Sequence, residues 1–122
     1  MKVNKSKFSI QSHRSKRGTH WDFRLMMPNG KVWSWAIPKE RFPENKKDKI
    51  LAAWVDDTHK PSYMTFHGYL HNGDNVNLFD YGEVLFLSLK DDKMTLQLAG
   101  SEISGIYHMI KITENWLIIK SQ

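Results

Sequence analysis

Apolar residues recur at every second position along most of this chain. In HWDFRLMM, Trp21, Phe23, Leu25 and Met27 fall on one side, and His20, Asp22, Arg24 and Met26 on the other. Pro28-Asn29-Gly30 follows, and Asn-Gly readily supplies the positive-φ residues of a tight hairpin turn. KVWSWAIP then alternates again, with Trp33, Trp35 and Ile37 against Val32, Ser34 and Ala36. Two alternating runs joined by Asn-Gly predict an antiparallel hairpin.

The rest of the chain extends the same reading. RFPENKKDK is a charged loop with room for one helical turn. ILAAWV is a short strand, and DDTHKPS a turn-rich connection. YMTFHGYL is expected to be a strand ending at the HNGDN turn. GEVLFLSLK is expected to be a strand buried on both faces or nearly so. DDK turns the chain into MTLQLAG, SEISG turns it again, and GIYHMIKI and NWLIIK form a last hairpin around TEN. Helical periodicity is nearly absent. Seven or eight short strands with regular turns predict an all-β domain with minor helical content, a closed or nearly closed antiparallel β-barrel over residues 1–122. Closure also removes the edges that such apolar strands would otherwise expose.

Composition narrows the partners. The chain has 122 residues, 40% of them apolar and 25% charged, and a net charge of +5. One domain of this size buries roughly two-thirds of the surface of its unfolded chain. The positive charge favours nucleic acid, nucleotides or a membrane surface, without choosing among them. There are no cysteines, which excludes disulfides and thiolate metal sites. Any metal must be held by His, Asp, Glu or backbone oxygens. MKVNKSKFSI lacks the apolar stretch of a signal peptide. No window approaches the ~18 apolar residues of a membrane span. The expectation is a soluble, cytoplasmic, monomeric protein with no membrane partner.

The first alternating run carries the candidate chemistry. Residues two apart on a strand share a face, about 6.6–7 Å apart. His20, Asp22 and Arg24 therefore point the same way, opposite a wholly apolar face. An imidazole and a carboxylate at that spacing can both reach one divalent ion, and His13, seven residues back across RSKRGT, can complete a two-His, one-carboxylate set. Arg24 beside it can fork onto a phosphate. The plainer alternatives are a surface histidine for His13 and an Asp-Arg pair on a solvated sheet face for the triplet.

The residues also resemble a known family. Phe8, Gln11 and His13, then His20, Asp22, Phe23, Arg24 and Leu25, then Ser34-Trp35-Ala36-Ile37-Pro38-Lys39 follow a pattern similar to that of the 3′-phosphoesterase domain of bacterial DNA ligase D and its stand-alone relatives. DKILAAWVDDTHKPSY continues the resemblance and brings His59 and Tyr63 into register. The chain departs from the pattern in places. The His13–His20 loop is one residue longer. One extra residue before His59 leaves Asp56 and Asp57 both eligible as its acidic neighbour. Ile50 replaces an arginine, and HNGDNVNLFDYG stands where the family has Gly-Tyr-Gly.

The resemblance implies a small β-barrel that heals 3′ ends of DNA or RNA in repair. Such an enzyme removes a terminal ribonucleoside, then hydrolyses the remaining 3′-phosphate to 3′-OH. It implies dependence on Mn2+ or another divalent ion held by His13, His20 and Asp22. It further implies catalytic roles for His59, Arg24 and Asp57, and substrate contacts from Arg24, Lys39 and Tyr63. A ligase or polymerase working with it would be a separate chain. Two other classes stay open: a non-catalytic barrel binding single-stranded nucleic acid, and a metal-dependent nuclease cutting internally. His67, His71 and His108 read as structural or surface residues, and Trp33 and Trp35 as core.

Overall fold

The structure is a computed structural model and describes residues 4–56 and 59–121. Nine strands follow one another: β1 (Asn4–Ser15), β2 (Gly18–Met26), β3 (Val32–Ile37), β4 (Lys49–Val55), β5 (Gly68–Tyr69), β6 (Asn75–Lys90), β7 (Lys93–Ala99), β8 (Ser104–Ile112) and β9 (Asn115–Lys120). A short 3-10 helix, Pro61–Thr65, precedes β5. All pairings are antiparallel. Eight strands run β1-β2-β3-β4-β9-β8-β7-β6, and β6 pairs back onto β1, so the barrel closes; β5 is an added strand beside β6. No helix among the described residues is long and apolar enough to cross a membrane.

The β2–β3 hairpin forms as the alternation predicts. Met27 and Lys31 bracket the turn, with the Gly30 N–H donating to the Met27 carbonyl and Gly30 at φ +86°. Trp21 faces Ile37, Phe23 faces Trp35 and Leu25 faces Trp33 across it. These side chains point into the barrel, where Phe8, Ile10, Ala52, Val84, Leu96, Met109 and Ile118 complete the core. An eight-stranded barrel is just wide enough for side chains to fill it. The interior is occupied, so binding must use the outside or the ends.

Three expectations are corrected. The predicted strand YMTFHGYL is the 3-10 helix followed by only the two residues of β5. Pro61 occupies its first turn, where its missing N–H goes unneeded. GEVLFLSLK is not buried on both faces: Val84 and Phe86 point inward, whereas Leu87 and Leu89 are exposed. The loop across RSKRGT is a two-residue turn at the end of a 12-residue β1, so His13 and His20 are direct cross-strand neighbours.

A register shift between Ile10 and Gln11 sorts β6 into two faces. Above it, Val76 and Leu78 lie on the outer face beside His13 and Gln11. Below it, Asp80 pairs with Ile10 and points inward. Its buried carboxylate accepts the backbone N–H groups of Tyr81, Ser101, Glu102 and Ile103 at 2.7–3.1 Å. That carboxylate closes the β7–β8 turn. It also explains Gly100, where an added Cβ would come within 2.3 Å of Asp80 Oδ2.

Candidate metal centre

Between β4 and β6 the described residues leave the barrel wall, with the 3-10 helix against β1 and β6 and Tyr63 reaching over Arg24 of β2. Two backbone carbonyls, those of Tyr63 and Phe66, accept the Gln11 side-chain amide at 2.8 and 2.9 Å. Met64 is buried beneath the 3-10 helix. This cover explains why the outward residues Ser9, Gln11, Asp22, Arg24 and Ser34 are buried, although they face away from the core.

Arg24 is held from three sides. Its Nε donates to Gln11 Oε1 at 2.5 Å, Nη1 to Ser34 Oγ at 2.7 Å, and Nη2 reaches Asp22 Oδ2 at 3.5 Å. The Tyr63 ring covers it, with the guanidinium carbon 5.1 Å from the ring centroid. Tyr63 itself stacks with His59 (4.4 Å, 10°) and with Phe66 (5.2 Å, 9°). A column of rings thus links His59 to the arginine.

At the open edge of this covered face, His13, His20 and Asp22 converge. One donor atom from each lies within 4.8 Å of the others, a set able to hold a metal ion. The imidazoles stack at 4.9 Å, as the His13–His20 register dictates. His20 Nε2 lies 3.1 Å from Asp22 Oδ1, and His13 Nδ1 lies 3.7 Å from Asp22 Oδ2. The other His13 nitrogen, Nε2, lies 2.9 Å from Asp74 Oδ2. Two imidazoles and a carboxylate without thiolate suit a divalent ion such as Mn2+ or Zn2+ and leave positions open for oxygen ligands.

The expected residues are therefore partly gathered. Arg24 and Tyr63 lie together with the ligand set, and His59 joins through the ring stack. Lys39 is exposed in the β3–β4 connection at the same barrel end, lining a hollow with Arg41 and Lys49. Asp56 lines a different hollow, among tryptophans. Asp57 lies outside the described residues. Sequence reasoning missed Asp74, 61 residues from His13, and gave no role to Gln11, which pins the covering segment.

The bond to Asp22 holds the His20 pKa above the ordinary imidazole value of 6.5. Partial burial and the Arg24 charge oppose the rise, and the Asp22 and Asp74 charges add to it. A raised folded-state pKa contributes stability below the unfolded value, lost as pH rises through the folded value. The same proton competes with a metal ion. In metal-free protein, the His20 ring titration followed by NMR is expected to centre above 6.5, and Asp22→Asn is expected to lower it. A midpoint unmoved by that substitution would disprove the coupling.

Comparison with curated protein sequences gives no match. The family model for the DNA ligase D 3′-phosphoesterase domain, however, matches residues 11–111, a span that holds the three-donor set, the braced arginine, the ring column and all strands from β2 to β7. On that match the chain belongs to the DNA ligase D 3′-phosphoesterase domain family.

Proposed function

We propose that this protein hydrolyses phosphoesters at the 3′ ends of DNA or RNA with the help of a divalent ion, manganese being the one the family resemblance implies. The observation that carries the reading is the His13-His20-Asp22 set at the edge of a covered, arginine-bearing face. The three side chains would hold the ion, with His13 oriented through Asp74. When bound, such an ion stabilises negative charge developing on a phosphate oxygen. Arg24 supplies fixed positive charge beside that oxygen. His59, stacked on Tyr63, is the group to hydrogen-bond the phosphate or protonate the leaving oxygen. Asp57 would orient His59. Tyr63 and Lys39 would contact the substrate, Lys39 on the strand leading to its 3′ end. The residues act as one domain, and the 3′-OH product suits a ligase or polymerase on another chain.

The test uses DNA primers ending in a 3′-phosphate or a 3′-ribonucleotide. With Mn2+ the full-length protein is expected to release inorganic phosphate from the first and to trim the second, and to do neither in EDTA. Circular single strands are expected to stay intact. Binding without turnover in either condition would favour a non-catalytic barrel, and cleavage of circles an internal nuclease; either result overturns the proposal.

A further inference from the structure

The barrel end remote from the β1–β2 turn carries a second hollow, of about 490 Å3. Its walls are the indoles of Trp33, Trp54 and Trp116, and its rim carries Asp56, Asp91 and Glu114. The indoles are fixed against one another. Trp33 meets Trp54 edge-on at 5.2 Å, and Trp33, Trp54 and Trp116 each pack against the buried Trp35 at 5.5–6.3 Å. The carboxylates arrive from separate segments: Asp56 after β4, Asp91 from the β6–β7 turn and Glu114 from the β8–β9 turn.

Three features of this hollow go together. Among the described residues, Lys111 is the one basic residue lining it, so three carboxylates and one ammonium make this described lining formally negative in a chain of net charge +5. None of the three carboxylates forms an ion pair among the described residues. The cations that lie over aromatic rings in the described structure all use tyrosines, so no cation of the described residues lies over an indole face. Such a site repels nucleic acid. It is also unlike a metal site, because these carboxylates do not converge: among the described residues the cluster able to hold an ion is His13-His20-Asp22.

Indole faces attract organic cations, and methylene chains pack well against them. Carboxylates spread over three loops suit several charges along one ligand better than a single point charge. We propose that this hollow binds an aliphatic polyamine, a flexible chain bearing two or more ammonium groups. The proposal is independent of the metal centre.

The probes are spermidine, 1,4-diaminobutane, butylammonium and Mg2+, titrated into the full-length protein at about 0.15 M NaCl, where exposed charges are screened beyond ~8 Å. Indole fluorescence and calorimetry provide the readouts. Spermidine is expected to bind saturably, with butylammonium weaker by roughly tenfold. The paired substitution Asp91→Asn with Glu114→Gln, both in exposed turns, is expected to weaken spermidine by a similar factor, and Trp54→Leu likewise. His20→Ala is expected to bind spermidine normally. The proposal is overturned if spermidine shows no saturable binding at millimolar concentration or if Mg2+ displaces it. Unchanged affinity in the paired turn variant, or loss of binding in His20→Ala, overturns it equally.

Discussion

Asp22→Asn is expected to lower phosphate release from 3′-phosphate ends by on the order of a thousandfold, because it removes the carboxylate that, among the described residues, lies within 4 Å of both imidazoles. A bound divalent ion supplies several kcal/mol of charge stabilisation in the transition state, and each ~1.36 kcal/mol is tenfold in rate. Asp22 lies 3.1 Å from His20 and 3.7 Å from His13, so losing its charge would remove one of the three proposed ligands and loosen the other two. The amide keeps the volume, and the barrel should still unfold cooperatively. Asp74→Asn makes a graded comparison. It leaves the ligand set whole but weakens the contact that orients His13, and a change of about 10–100-fold in metal affinity or activity is expected. Calorimetric manganese titration alongside phosphate release checks both variants. Wild-type manganese affinity in Asp22→Asn would refute the ligand assignment.

Arg24→Ala is expected to lower folding stability by about 3–5 kcal/mol, the usual cost of removing one partner from a buried charge pair. The arginine is 4% exposed, and its nitrogens engage Gln11, Ser34 and Asp22. Truncation strands a buried carboxylate and leaves the oxygens of Gln11 and Ser34 without their donor. It also removes the cation beneath Tyr63, so the covering segment loses a main anchor. Urea unfolding monitored by tryptophan fluorescence measures the change. A loss below about 1 kcal/mol would match an exposed ion pair and contradict the brace described here. Arg24→Lys should recover part of the stability but not the forked geometry.

Much of this was legible in the sequence because the barrel core obeys period two. Trp21, Phe23 and Leu25 against Trp33, Trp35 and Ile37 announced the central hairpin, and the polar partners His20, Asp22 and Arg24 announced the site on its reverse. β1 was harder to read because its outward residues Ser9, Gln11 and His13 are polar for a reason the alternation cannot show: another segment covers them. YMTFHGYL misleads in the opposite sense. Its aromatic residues stack on one another and on His59 instead of alternating across a sheet. The outward leucines of β6 mimic a doubly buried strand, although Leu87 and Leu89 face solvent. Asp74 had no local signal, since a turn aspartate ordinarily caps its own turn, and only closure of the barrel brings it to His13.

The pairing of β1 with β6 is a seam between distant parts of the chain, whereas His13, His20 and Asp22 all lie on one hairpin with a two-residue turn. Closing a long loop costs more entropy than closing a short one, and non-local pairings govern folding speed. The three candidate metal ligands are therefore the cheapest part of the centre to assemble. The seam, with Gln11 reaching across 52 and 55 residues to the covering segment, is the most expensive. A nascent chain can present the three donor side chains early, but the dry, arginine-braced face beside them exists only once the barrel has closed.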